Sequence, residues 1–218
     1  MRPLSIKECL SVGWKDFSSR PMLFIGTSIF IFIACVIVDI PRTWSKGLHG
    51  TEATVVGIST FLISTGLSFL IAMGKTAFYL RAHDVPSQAA AKNLWHPHPY
   101  WKFVGTSILV GLATVIGLIL FIVPGIIVGI MFGFAIYLVI DKGLAPFDAL
   151  RESARLTKGN RWKLFVLGLA VLGINILGFC LVLVGLLATM PITTLAVIHA
   201  YRILSGSSTT AATAPSPI

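Results

Sequence analysis

His83 and Asp84, followed by His96-Pro97-His98-Pro99, put imidazoles and a carboxylate near enough in sequence to suggest a divalent metal site. The prolines around His98 favour an extended segment, which turns His96 and His98 to similar sides. No cysteine and no Glu-x-x-His spacing accompanies them, so a proline-rich interfacial loop that carries histidines is the simpler reading. No metal and no other cofactor is expected. Cys9, Cys35 and Cys180 lack ligand spacing and read as packing residues. Nucleophile, base and acid sets, paired carboxylates, phosphate loops and haem-type histidine pairs are not seen in the sequence, so an enzyme is not expected either.

The other chemistry on offer is recognition of anions. Arg151, Arg155, Lys158, Arg161 and Lys163 lie in Ala145 to Phe165, the longest polar interval between two long apolar blocks. A basic residue near an acidic leaflet contributes about 1 kcal/mol. The same charges also explain retention of the segment on one side of the membrane. On a helical wheel Asp148, Arg151, Glu152, Arg155 and Lys158 share one arc, and Phe147, Ala149, Leu150, Ser153, Ala154, Leu156 and Thr157 share the other. This predicts an amphipathic helix lying at an interface, with Ser153 and Thr157 packing on the bundle rather than reacting. Pro146 suits its first turn, and Gly159 suits a left-handed cap.

The elements around this interval are built for lipid. Of 218 residues, 56% are hydrophobic and only 11% are charged, against about 25% charged in soluble domains. The net charge of +9 is spread in short runs between apolar segments. A nucleic-acid reader would gather its basic residues on one face with aromatics between them, so no nucleic acid is expected.

Six spans are predicted, at about 22–40, 55–73, 103–122, 124–140, 163–183 and 186–204, each near the 20 residues that cross a hydrocarbon core of about 30 Å. The fold class is all-α, a polytopic six-helix bundle in one membrane domain over 1–204, with a disordered tail at 205–218. A capping box at Ser5 and Glu8 predicts an earlier surface helix that ends before Pro21, and a cleavable signal is not expected. Pro41 to Glu52 reads as a loop, and Gln88 to Trp95 as a short amphipathic piece. The third and fourth spans divide at Val123-Pro124-Gly125, the fifth and sixth at Val184-Gly185, with Pro191 inside the sixth.

Within the spans, Thr60, Ser64, Ser68 and Ala72 recur every fourth residue and invite close helix packing. Gly125, Gly129 and Gly133 form two overlapping G-x-x-x-G units, predicting a continuous glycine-zipper groove. Asn175, about midway along the fifth span, is expected to make an interhelical hydrogen bond worth roughly 1 kcal/mol. Asp39, Lys75, Asp141 and His199 fall near span ends, where they are expected to reach the headgroups.

Fifteen basic residues, Arg202 among them, fall on one side of the six spans, and only Arg42 and Lys46 fall on the other. The positive-inside rule therefore predicts cytoplasmic N- and C-termini. Trp14-Lys15, Trp101-Lys102 and Trp162-Lys163 each precede an odd-numbered span, a weak internal repeat of a lead-in followed by a hairpin. Gly117 and Gly178 stand equally far beyond the latter two.

Ile122-Val123-Pro124-Gly125-Ile126, then Ala149-Leu150, Ser153, Leu156-Thr157-Lys158-Gly159-Asn160, Trp162 and Leu164-Phe165, resemble a bacterial family of multi-pass membrane proteins without an assigned activity. That family is similar to the membrane domain attached to some glycerophosphodiester phosphodiesterases. The resemblance runs from about Tyr100 to Tyr201-Arg202, with an echo at Gly13-Trp14. It implies a helical bundle in a bacterial inner membrane and carries no catalysis, since no phosphodiesterase sequence follows the last span here. The expectation is a non-enzymatic scaffold that contacts the lipid bilayer, anionic phospholipids or another membrane protein, with an oligomer possible. The competing expectation is a small-solute transporter or channel, and the third a membrane domain linked to glycerophospholipid metabolism.

Overall fold

The computed structural model describes residues 4–45, 51–84, 99–180 and 184–206, and all regular structure within them is helical. The helices are α1 (Ile6–Ser19), α2 (Pro21–Ser45), α3 (Thr51–Asp84), α4 (Tyr100–Leu120), α5 (Ile122–Phe132), α6 (Ala135–Lys142), α7 (Pro146–Thr157), α8 (Arg161–Cys180) and α9 (Val184–Ser205). Six helical stretches are long and apolar enough to cross a membrane: Pro21–Ile40, Thr54–Asp84, Tyr100–Leu120, Ile122–Lys142, Arg161–Cys180 and Gly185–Ser205. The protein is an all-α polytopic bundle.

The spans pair in sequence as hairpins, α2 with α3, α4 with α5, and α8 with α9, while α1 lies along α9. Most buried hydrophobic side chains come from one end of the bundle. They include Phe24 at the start of α2, Met73 and Phe78 to Leu80 late in α3, Phe134 to Val139 around the start of α6, and Leu195 to Tyr201 late in α9. Toward the other end, Ile29 to Ile40, Val55 to Leu67 and Leu112 to Val123 leave many large apolar side chains exposed from the protein. Hydrocarbon solvates such side chains as well as a protein core does.

Several boundaries differ from the sequence reading. α2 continues through Pro41, giving up one backbone hydrogen bond to the carbonyl four residues earlier. The turn between the third and fourth spans is at Phe121, whose extended backbone separates α4 from α5. Pro124 then falls in the first turn of α5, where no N–H is needed. Ser5 occupies the N-cap of α1, but its side chain makes no cap hydrogen bond, so the capping box does not form. Leu4 and Cys9, at the positions of a hydrophobic staple, are both buried and fix the start of α1 by packing.

The fourth span is not one helix. It breaks at Gly133-Phe134 into α5 and α6. α7 lies beside that break, with Ala149, Ser153 and Thr157 buried. Gly159 has φ of 85°, the left-handed geometry foreseen for it, and the chain turns there into α8.

The three glycines of the fourth span do not make one groove. A Cβ on Gly125 would stand 2.7 Å from the backbone N of Leu118, and one on Gly117 would stand 2.9 Å from the Cα of Gly125. Gly129 has only an ordinary contact at 3.7 Å to Thr114, and Gly133 faces carbonyls of its own span at the break. The last hairpin repeats the close approach with Gly178 against Gly185. Both glycines lie beside a chain reversal, where two backbones must converge.

Candidate functional site

The most connected polar group of the fold lies where α3, α6 and α9 end. Arg202 is only 8% exposed. Its Nε and Nη2 donate to Asp84 Oδ1 and Oδ2 at 2.9 and 2.5 Å, a two-pronged pairing that a guanidinium alone can make. Its Nη1 donates to Asp141 Oδ2 at 2.7 Å. The Tyr201 hydroxyl donates to the same carboxylate oxygen at 2.7 Å. Two carboxylates thus share one cation, and an ionisable cluster within a membrane protein is a place where function is expected.

Packing holds the cluster in place. Tyr201 stacks on Tyr137 of α6 at 5.7 Å and leans on Phe134, and the Arg202 guanidinium lies 5.3 Å from the Tyr201 ring centre. Nearby, His83 Nδ1 is 2.7 Å from Asp16 Oδ2 on α1, and His83 Nε2 is 3.3 Å from His199 Nδ1 on α9. The two networks meet at the adjacent residues His83 and Asp84, so they tie α1, α3, α6 and α9 together.

Sequence reasoning assigned these residues differently. Asp141 and His199 turn inward, instead of reaching headgroups, because each finds a partner of matching polarity on a neighbouring helix. Arg202 counted only as a topology charge. A signal was available: Asp84, Asp141 and Arg202 close the second, fourth and sixth spans, which by alternation end on the same side of the membrane. His83 pairs with Asp16 and His199, and Asp84 with Arg202. His96, His98 and the amphipathic piece at Gln88 to Trp95 lie outside the described residues. So do residues 181–183 and 207–218, the latter within the segment expected to be a disordered tail. Among the described residues no group of three or more His, Cys, Asp or Glu side chains is placed to hold a metal ion.

α7 forms a second site. Ser153 Oγ donates to the Met131 carbonyl at 2.8 Å and accepts from Phe134 N–H at 3.2 Å, and Thr157 Oγ1 reaches the same carbonyl at 3.5 Å. The groups freed by the break between α5 and α6 are therefore satisfied by the buried face of α7. On the opposite face Arg151, Arg155 and Lys158 are exposed, as is Arg161 just beyond, and Lys163 is half-buried. Phe147, expected on the packed side, is 76% exposed, and Trp14, Trp101 and Trp162 also project from the protein. Aromatic and basic side chains in this company suit a membrane interface.

The remaining predicted packing residues are dispersed. Ser64 is buried, Thr60 and Ala72 are half-buried, and Ser68 is exposed, its hydroxyl donating to the Ser64 carbonyl at 2.8 Å. Asn175 Nδ2 donates to Thr193 Oγ1 of α9 at 3.3 Å and to the Val171 carbonyl of its own helix at 2.9 Å. Cys9 is buried, whereas Cys35 and Cys180 are exposed from the protein rather than packed within it.

Six apolar spans, a helix that closes a break in one of them, and a clamped arginine at their common end define a multi-pass helical membrane protein. Residues 98–208 match the family described as "Protein of unknown function (DUF975)". The chain belongs to that family. It is 31% identical over 175 residues to the uncharacterized protein Rv2560 of Mycobacterium tuberculosis, a match covering 79% of this chain and 54% of the relative. The same figures hold for the uncharacterized protein Mb2590 of Mycobacterium bovis. The chain thus spans about half the length of the curated relatives it matches. No solved structure matches.

Proposed function

We propose that this is a non-enzymatic scaffold of a bacterial cytoplasmic membrane, with both termini and α7 on the cytoplasmic side, that holds anionic phospholipid headgroups on the outer face of α7. The observation that carries this reading is the division of α7. Ser153 and Thr157 are spent on the span break, while Arg151, Arg155 and Lys158 stand exposed beside Phe147 and Trp162. One salt bridge within the helix, Arg155 to Glu152 at 3.6 Å, leaves the arc basic overall. Arg161 and Lys163 continue it toward the membrane edge.

Liposomes that differ only in their content of anionic lipid test the reading. Replacing Arg151, Arg155 and Lys158 together with Gln lowers the preference of the reconstituted protein for anionic lipid. Removal of about 1 kcal/mol per basic residue corresponds to roughly a hundredfold loss for the triple variant. Unchanged lipid preference, with loss of a co-purifying protein instead, moves the assignment to a protein partner.

A second reading is favoured by one observation, the buried ionisable cluster around Arg202. Such groups within spans commonly line transport paths. Solute flux into vesicles that disappears in Asn175→Leu or Arg202→Gln supports a small transporter or channel. A link to glycerophospholipid metabolism rests on the sequence resemblance alone, and hydrolysis of a glycerophosphodiester by the purified protein is the result that supports it.

A further inference from the structure

Asp16, His83 and His199 form a line of three titratable groups from α1 through α3 to α9, beside the arginine clamp but bonded separately from it. The contacts are 2.7 Å from Asp16 Oδ2 to His83 Nδ1 and 3.3 Å from His83 Nε2 to His199 Nδ1. The imidazole centres are 5.2 Å apart and nearly perpendicular. At the end of the line His199 Nε2 is buried without a hydrogen-bond partner.

Proton counting fixes what this arrangement can hold. A carboxylate only accepts, so His83 Nδ1 carries the proton on the Asp16 contact. The His83–His199 contact has room for one proton, and with two protons in all it sits on His199 Nδ1, since on His83 Nε2 it would leave an imidazolium against an imidazolate. With those two protons both rings are neutral. A third makes one imidazolium and still leaves an N–H facing a lone pair. A fourth sets N–H against N–H between two like charges, and the contact must part.

We propose that the His83–His199 pair is a proton-operated latch between α3 and α9, closed with two or three protons on the two rings and opened by the fourth. Its surroundings are defined. Glu8 and Asp16 of α1 are the charged groups that act on His199 besides His83 itself, and among the described residues α2, α7 and α8 bring none. Asp84 of α3, Asp141 of α6 and Arg202 of α9 are engaged with one another, and Lys102 of α4 donates to the Gly143 carbonyl at 2.9 Å. Lys75 and Arg81 share α3 with His83. The Arg202–Asp84 pair, next along both helices, stays bonded and acts as the pivot. Asp16 ties α1 to His83.

The sign follows from the count. The open form binds one proton more than the closed form, so acid favours opening, by up to tenfold per pH unit once the fourth proton is available. Histidine is the side chain that ordinarily changes charge between about pH 5 and about pH 8, so the profile is read across that range.

Hydrogen–deuterium exchange on the full chain in lipid nanodiscs, corrected for the intrinsic pH dependence of exchange, tests this. Amides in the last two turns of α3 are expected to be protected at about pH 8 and to lose protection on acidification, approaching tenfold per pH unit. His199→Gln keeps a polar partner for His83 but takes no charge, so its protection stays flat over the same range. His83→Gln provides the same comparison should His199→Gln fail to fold. A flat profile in the unmodified protein overturns the proposal, and so does an equal acid loss in either variant.

Discussion

Arg202 and Asp84 meet through two hydrogen bonds of 2.9 and 2.5 Å, and the same guanidinium reaches Asp141 at 2.7 Å. One side chain near the end of the chain thereby fixes the ends of two other spans. Removing the cation leaves two carboxylates facing each other in a largely buried site. Breaking such a pair costs on the order of 3–5 kcal/mol when fully buried, and about 2–4 kcal/mol here, because the Asp84 side chain is 36% exposed. Arg202→Gln is therefore expected to lower Tm markedly in detergent, and Arg202→Lys to recover only part of it, since an ammonium cannot make the two-pronged contact. Equal Tm for Arg202→Lys and the unmodified protein would contradict the role of the guanidinium geometry.

Ser153 is the next test, because one hydroxyl serves both sides of the break between α5 and α6. Ser153→Ala strands the Phe134 N–H and leaves the Met131 carbonyl only the long contact to Thr157, at a cost of about 1–3 kcal/mol. Ser153→Leu adds volume to a site with no exposure and is expected to cost more. Arg155→Gln, on the exposed face, is expected to fall within about 0.5 kcal/mol of neutral. Size-exclusion profiles after heating rank the three.

Glycines at close approaches are separable from glycines in open space. A Cβ on Gly13 would stand 2.6 Å from the Ile192 carbonyl oxygen and 3.0 Å from Ala196 N, both backbone atoms that cannot swing aside. Gly13→Ala is expected to lift α1 from α9 and speed tryptic cleavage at Lys7 and Lys15. Gly26→Ala, where nothing lies within 4 Å, is expected to leave cleavage unchanged and to favour the helix by up to about 1 kcal/mol.

Cys9 reports the docking of α1 directly. Burial, with a smaller contribution from the nearby Glu8 carboxylate, pushes its thiol from 9.0 up to about 11. Because the folded value lies above the unfolded one, the stabilisation is fully present below about pH 9 and is lost as pH rises through about 11. In a Cys35→Ser, Cys180→Ser background, maleimide is expected to label the folded protein slowly at pH 8 and the Gly13→Ala variant much faster. Rapid labelling of both would show that α1 is not held down.

Much of the architecture was readable because a bilayer imposes a simple rule on sequence. A span needs about 20 apolar residues with its backbone satisfied internally, and the apolar stretches divide into six such runs once the two double-length blocks are split at Val123-Pro124-Gly125 and Val184-Gly185. The two faces of α7 were readable for a similar reason, since the row of Ala149, Ser153 and Thr157 follows from helical period alone. What Ser153 does there was not readable. Its partners are the backbone groups of Met131 and Phe134, exposed by a break whose position no side-chain pattern announces.

Long-range polar pairing was likewise beyond the sequence. Sequence reading placed Asp141 near a span end, Arg202 among the charges of one side and Asp84 in the polar segment after the second span, and there the information stopped. Which span ends touch depends on how the hairpins pack around α9, and that packing is set by shape, including the close approach of Gly13 to Ile192. By itself the sequence determined an all-α bundle of six spans, its hairpin order and the row of Ala149, Ser153 and Thr157 along α7. Only the tertiary structure turned scattered charges into a clamp of Arg202 on Asp84 and Asp141 and a line from Asp16 through His83 to His199, because electrostatic partnership depends on distance in space rather than along the chain.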